Sequence, residues 1–271
     1  MHVRQLQLDE LYAVLREVKS GESSEGEALK RLECASYWVW TAMAPESTLL
    51  LVLDVGMRTL EMAQRVVHQV VRRLAPGCVP LCLTDGLKDY GTAFLTHLGQ
   101  WRQPARRRDK GPLPQPRWMP LPEVLDAQVV KSYRRRRIVG GKYRVVCGTM
   151  ERMQQVLSVC GRQINTAFVE RLNLDMRQRG AAVGRRGNTW GHGEDGLRQQ
   201  LAVYHAYDNF CLPHASLRQL LRITEPTTGS GSAKLWRLCA PAMAAGWMDH
   251  GWTLTEVLLY RVPPGPQPQA R

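Results

Sequence analysis

The chain of 271 residues carries 37 Lys and Arg against 24 Asp and Glu, a net charge of +13 with a sequence pI of about 9.8, so a polyanion is its natural partner. A hydrophobic share of 44% supports a real core, in one large domain or two small ones, and implies a folded, soluble protein. No apolar run approaches a membrane span, residues 1–5 lack the apolar core of a secretory signal, and the seven cysteines include no C-x-x-C pair. These features argue against membrane, secreted and zinc-knuckle proteins and for the cytoplasm.

In chain order, Gln5 and Gln7 alternate with Leu6 and Leu8, the period-two pattern of a strand, and Asp9 continues its polar face. Residues 18–30, rich in Gly, Ser and Glu, read as a turn or loose hairpin tip. Residues 37–43 and 49–53 read as two more strands joined across Pro45, so a three-stranded antiparallel start is the simplest assembly. Leu60, Ala63, Val67, Val70 and Leu74 then recur at helical spacing, with Pro76 and Gly77 as the stop. Residues 79–84 form a short buried strand. As the return from a helical crossover it is expected to lie parallel in the same sheet, which sets Asp85 at a strand's carboxyl end, where open α/β sheets place their ligands. A helix follows over 87–98.

Six prolines between 104 and 122, together with Arg106, Arg107 and Arg108, predict an irregular Pro/Arg-rich loop within about 102–130. Residues 124–133 are expected to be helical and lead into the basic run Arg134, Arg135, Arg136, Arg137. Residues 143–147 read as a last strand and 150–160 as a helix. The next helix has Asn165 or Thr166 as N-cap, Gly180 as stop, and Val169, Leu172 and Met176 as its core stripe. Glu170, Asn173 and Arg177 repeat that spacing one position on and align a carboxylate, an amide and a guanidinium. Another helix is expected over 197–210. The stretch 226–232 is linker-like, which divides the chain into a main domain, 1–222, and a linker with a small C-terminal extension, 223–271, whose last residues should be disordered.

The run Asn165-Thr166-Ala167-Phe168-Val169-Glu170-Arg171-Leu172-Asn173-Leu174-Asp175-Met176-Arg177 resembles the glutamate motif, N-T-x-x-x-E-R-x-N-L-x-x-R, of insertion-sequence transposases of the IS-one family. Thr84-Asp85-Gly86 and Asp9-Glu10-Leu11-Tyr12 are similar to the family's other two acid motifs. Tyr207-Asp208-Asn209-Phe210 with Pro213-His214-Ala215-Ser216-Leu217 looks like its Y-x-N-F…R-P-H-x-S-L segment, with Leu212 where Arg is common. The likeness extends to about Leu258. It implies an α/β, RNase H-like mixed sheet flanked by helices, in which Asp9 and Asp85 approach on neighbouring strands and Glu170 reaches in from a helix. Three such carboxylates repel unless cations neutralise them, and hard oxygen ligands select two Mg²⁺ or Mn²⁺ ions, roughly 3.5–4 Å apart, for in-line phosphodiester displacement. Water is the implied nucleophile for cutting and a freed 3′-hydroxyl for joining. Asp9, Asp85 and Glu170 are thus the expected catalytic and metal-binding residues.

Each acid also has an ordinary reading. Asp9 beside Glu10 suits a surface, Asp85-Gly86 suits a strand-end turn, and Glu170 has Leu174 where an ion-pair partner would stand. Arg134, Arg135, Arg136 and Arg137 suit a phosphate backbone or a solvated loop, and Arg171, Asn173 and Arg177 suit DNA contact or a solvated helix face. His214 reads as structural, and Trp38, Trp40 and Phe168 as core. Gly191-His192-Gly193-Glu194-Asp195-Gly196 matches G-x-G-x-x-G, but no apolar strand precedes it, so nucleotide binding is not expected. Ala44 departs from the family, which often has Asp there.

The leading expectation is a DDE-type transposase catalytic domain acting on double-stranded DNA in a bacterial or archaeal cytoplasm, as a homo-oligomer by family analogy. Family members usually carry an N-terminal end-recognition module, whereas here the first strand begins almost at Met1, so the expectation is either the second of two reading frames, joined by frameshifting to a separate module, or a fragment. The alternatives are an inactive or repurposed DNA-binding relative and a structure-selective nuclease of the same fold.

Overall fold

In the computed structural model the described residues are 1–13, 15–16, 37–106, 113–134, 137–180, 183, 191–225 and 233–261; for 15–16, 131–134, 137–139, 191–193 and 222–225 only the backbone is described. The turn expected over 18–30, Arg135 and Arg136, the linker 226–232 and the tail 263–271 lie outside them. The chain divides into two compact units, Met1–Ala202 and Val203–Arg271. The division falls inside a helix, ahead of the boundary that composition suggests after residue 222.

The first unit is built on a six-stranded mixed sheet. Strand β1 (Gln5–Ala13) is followed by the two-residue β2 (Leu15–Arg16), then β3 (Tyr37–Ala44) and β4 (Leu49–Gly56). β1 pairs antiparallel with β3, and β3 with β4, the three-stranded start that the alternation predicts. Helix α1 (Leu60–Arg73) crosses over to β5 (Leu81–Thr84), which returns parallel to β1. Thr59 caps α1 by accepting the Met62 N–H, and Met62, Ala63, Val66, Val67 and Val70 are its buried stripe. Helix α2 (Lys88–Leu98) ends at a two-stranded ribbon, β6 (Gly99–Arg102) against β7 (Arg117–Pro120). Thus part of the expected irregular loop is paired.

Strand β8 (Leu125–Arg134) pairs parallel with β5, and β9 (Arg137–Cys147) folds back antiparallel on β8, so the sheet order is β4-β3-β1-β5-β8-β9. The helix expected over 124–133 is therefore a strand. Its true period is two: Leu125, Ala127 and Val129 enter the core with Leu81, Leu83, Met153 and Leu157, while Asp126 and Gln128 are buried on the other face. A strand buried on both faces hides its alternation, and here it was the buried polar residues that imitated a helix pattern.

Helices α3 (Met150–Val159) and α4 (Ala167–Arg179) follow, then the two-residue β10 (Gly191–His192), parallel to β2, and α5 (Gly193–Ala206). Trp40 of β3 packs edge-on against Tyr90 of α2, ring centroids 5.8 Å apart, so α2 covers the face of the sheet opposite to the one that α4 meets through Gln7. The unit is mixed α/β, with helices on both faces of the sheet. Asp54 on β4 is buried against Arg65 (2.9 Å) and Arg198 of α5 (2.5 Å), an ion-pair network within this unit. No helix among the described residues is long and apolar enough to cross a membrane.

In the second unit, Tyr207–Cys211 forms a π-helical turn. Phe210 stacks on Trp252 at 5.3 Å, and the Trp252 N–H donates to the Phe210 carbonyl. His214 stands 3.7 Å from the buried Asp208, in keeping with a structural histidine. Strands β11 (Gln219–Glu225) and β12 (Lys234–Arg237) pair antiparallel, and the short helices α6 (Pro241–Ala244) and α7 (Leu254–Leu259) complete the unit.

Candidate active site

The ladder between β1 and β5 ends at Leu8 opposite Thr84, so Asp9, midway along β1, stands level with Asp85, the first residue past the carboxyl end of β5. Gly86, at φ +104°, turns the chain away immediately after Asp85, a conformation that favours glycine, and Asp85 Oδ1 accepts the Leu87 N–H at 3.4 Å. β8 outruns β5 at this edge. From Gln128, level with Thr84, it continues six residues to Arg134, about 20 Å of strand, and its closing pair with β9 is Arg134 opposite Arg137. Arg134 and Arg137, by their backbone, thus lie beyond the carboxyl end of β5, on the side of Asp85.

Alternation sends Asp9 and Glu10 to opposite faces. Asp9 faces α4: its Oδ2 accepts the side-chain amide of Asn173 at 2.8 Å, and its Oδ1 accepts the Glu10 N–H at 2.9 Å. Gln7, two residues earlier on the same face, fastens the start of that helix. It donates to the Asn165 carbonyl at 2.8 Å and accepts the Val169 N–H at 3.0 Å, serving one of the first-turn amides that a helix leaves without a partner. The polar face of β1 is therefore buried and docks a helix, where the alternation alone suggested a solvated face.

Glu10 points to the other side. Its side chain is 0% exposed and takes two hydrogen bonds from Arg58, at 3.0 and 3.2 Å on Oε2. Arg58 also lies 3.8 Å from Asp85 Oδ2 and sits over the Trp38 ring at 4.9 Å. One guanidinium therefore serves two carboxylates from different strands. Burial, then Asp85 and to a lesser degree Asp9, push the Glu10 carboxyl up to about 7, against partial relief from the Tyr90 hydroxyl and then from Arg58. Tyr90, fully buried beside it, is pushed well above the usual phenol range by burial and then by Glu10.

Glu170 is half-buried on α4, one turn before Asn173, and its Oε1 accepts the hydroxyl of Thr166. Arg171 is exposed, Arg177 is half-buried, and Asn173 is buried against Asp9, not presented outward. Trp40 is core, whereas Trp38 and Phe168 are half-buried, the latter under the Arg162 guanidinium at 4.6 Å.

Aspartate and glutamate oxygens are the donors Mg²⁺ and Mn²⁺ take. Among the described residues, however, no group of three or more His, Cys, Asp or Glu is placed so that it could hold a metal ion. Asp9 is turned to Asn173, Glu10 and Asp85 share Arg58, and Glu170 is turned to Thr166. By type these residues suit hard cations; as arranged they do not fit a two-ion set.

Sequence reasoning missed Gln7, Glu10 and Arg58. The signal for Glu10 was its place beside Asp9 on a strand, which forces it onto the other face. Arg58 sits between a buried strand and the Thr59 cap, close to the sheet edge.

Comparison with known proteins returns no match: no family model, no curated protein and no solved structure matches the chain.

Proposed function

We propose that the first unit is the RNase H-like catalytic domain of a DDE-type DNA transposase similar to the IS-one family, with double-stranded DNA as substrate. The observation that carries this reading is that Asp9, midway along β1, stands level with Asp85 just past the carboxyl end of β5, with α4 and its Glu170 docked on the face of Asp9. The strand order β4-β3-β1-β5-β8, with its first three strands antiparallel and β1, β5 and β8 parallel, is the order such a fold calls for. A net charge of +13 and the position of Arg134 and Arg137 beyond the end of β5 favour DNA at this edge.

In this reading Asp9, Asp85 and Glu170 are the catalytic acids, Arg134, Arg135, Arg136, Arg137, Arg171 and Arg177 lie near phosphates, and Asn173 positions Asp9. Two Mg²⁺ or Mn²⁺ ions belong to the reading through the family likeness alone.

The test is nicking of supercoiled plasmid with Mg²⁺ or Mn²⁺. Nicking lost in Glu170→Gln and Asp85→Asn supports the reading, and nicking that persists in both removes these acids from the chemistry. A second reading, a DNA-binding relative that no longer reacts, is favoured by the Arg58 guanidinium held between Glu10 and Asp85. It predicts DNA binding without nicking in either metal.

A further inference from the structure

The ribbon β6–β7 carries an aromatic pair that stays about half exposed or more. Trp101 and Trp118 are directly opposed across the two strands, ring centroids 6.3 Å apart in an edge-on arrangement at 73°. They remain 62% and 48% exposed. Tryptophan is among the costliest side chains to leave in water, and one exposed ring needs no explanation, but two on one face of one ribbon form a surface that awaits a partner. The ribbon is anchored at its base. The Leu121 N–H donates to the Leu98 carbonyl at 3.0 Å, and a side chain at Gly99 would collide with the Leu95 carbonyl oxygen at 2.2 Å, so the strand leaves α2 against its last turn. The rings are therefore held on a fixed support, not on a free loop.

The charge around them selects the partner. Arg102 and Arg117 are the next cross-strand pair, both exposed, and Arg106 is exposed just beyond. Alternation puts the tryptophans on one face and these two arginines on the other, with Gln100, which accepts from Arg102 Nε at 2.8 Å, on the arginine side. A ribbon two strands wide, with flat rings on one face and guanidiniums on the other, suits a polymer that has planar groups and an anionic backbone at once. Neither carboxylates nor other acidic side chains occur within β6 or β7.

We propose that the Trp101–Trp118 face is a stacking platform for unpaired bases of a DNA strand that passes round the edge of the ribbon, where the long side chains of Arg102 and Arg117 reach its phosphates from the other face. The platform lies at the far end of α2 from Asp85. Eleven helical residues separate them, about 16 Å, so it engages DNA beside the carboxylate edge and takes no part in bond breaking. It shares with the functional reading only the premise that DNA is the partner, and does not depend on the acids.

The experiment is fluorescence anisotropy of a labelled single-stranded oligonucleotide, in EDTA so that no strand is cut. It is run beside an abasic strand of equal length and charge. Relative to the unaltered chain, W101A/W118A should bind the base-bearing strand roughly 10-fold or more weakly, with little change on the abasic strand, and W101F/W118F should retain most of the affinity. R102S/R117S should weaken both strands and flatten the salt dependence. Equal affinity of W101A/W118A and the unaltered chain for the base-bearing strand overturns the proposal, as does an equal loss on both strands. If instead W101A/W118A only turns a dimer into a monomer in sedimentation, the face is a subunit interface and the proposal fails. Nicking that survives W101A/W118A leaves the catalytic reading intact, whereas nicking absent from the unaltered chain, with base-dependent binding retained, sinks that reading and leaves this one.

Discussion

Asn173 of α4 donates its side-chain amide to Asp9 of β1 across 2.8 Å, and this contact fixes how the glutamate helix meets the sheet edge. Together with Gln7 it gives β1 two polar hooks for one helix, spaced two residues apart on the strand and four on the helix, from Val169 to Asn173. The helix therefore runs alongside β1 in one direction and brings Glu170 in at the level between the hooks.

Removing the amide should loosen that docking. Asn173→Ala leaves Asp9 without its buried donor, a cost of about 1–3 kcal/mol. Asn173→Asp should cost more at pH 8 than at pH 5, since it sets a second carboxylate against Asp9. Urea unfolding at the two pH values measures both, and an Asn173→Ala variant as stable as the parent shows that the contact does not hold the helix.

Arg58→Ala should destabilise the fold in a pH-dependent way. At pH 8 it takes from Glu10, whose carboxyl is already pushed up to about 7, the cation that offsets burial and Asp85, at a cost of about 1–3 kcal/mol once the partial exposure of the guanidinium is allowed for. At pH 5 Glu10 is protonated and the loss should be smaller. Chemical denaturation of Arg58→Ala and of Arg58→Ala with Glu10→Gln checks this: the second change should restore most of the stability lost at pH 8.

Asp126 predicts a second pH effect. It is fully buried, neither oxygen has a hydrogen-bond partner among the described residues, and burial pushes its carboxyl from 3.8 up to about 7. Because the folded value is the higher one, its contribution is complete below pH 3.8 and is lost as pH rises to 7, about 4 kcal/mol at most over that window. Glu10 acts in the same sense between 4.5 and about 7. Asp126→Asn should remove much of the fall in stability between pH 5 and pH 8, and an unchanged fall would assign it to other groups.

The antiparallel start, the crossover to β5, Asp85 at a strand end and the glutamate helix were legible because each rests on local signals: alternation, helical spacing, caps and stops. β8 was not, since a strand covered on both faces loses its alternation, and Asp126 and Gln128 suited a helix as well. The polar face of β1 was legible as a face but not as a buried one; only the arrival of α4 from far along the chain covers Gln7. Arg58 belongs to the same class. Its partners Glu10 and Asp85 lie on two other elements, and no spacing in the sequence reports a contact made across three segments.

The arrangement of the acids also sets the decisive measurement, a crystal of the chain with DNA soaked in Mn²⁺ and read by anomalous scattering. The catalytic account predicts Mn²⁺ bound by Asp9 and Asp85, with Glu170 turned away from Thr166 towards it and Arg58 withdrawn from Asp85. An edge free of Mn²⁺, with Arg58 still shared between Glu10 and Asp85, would contradict that account and leave a basic DNA-binding protein.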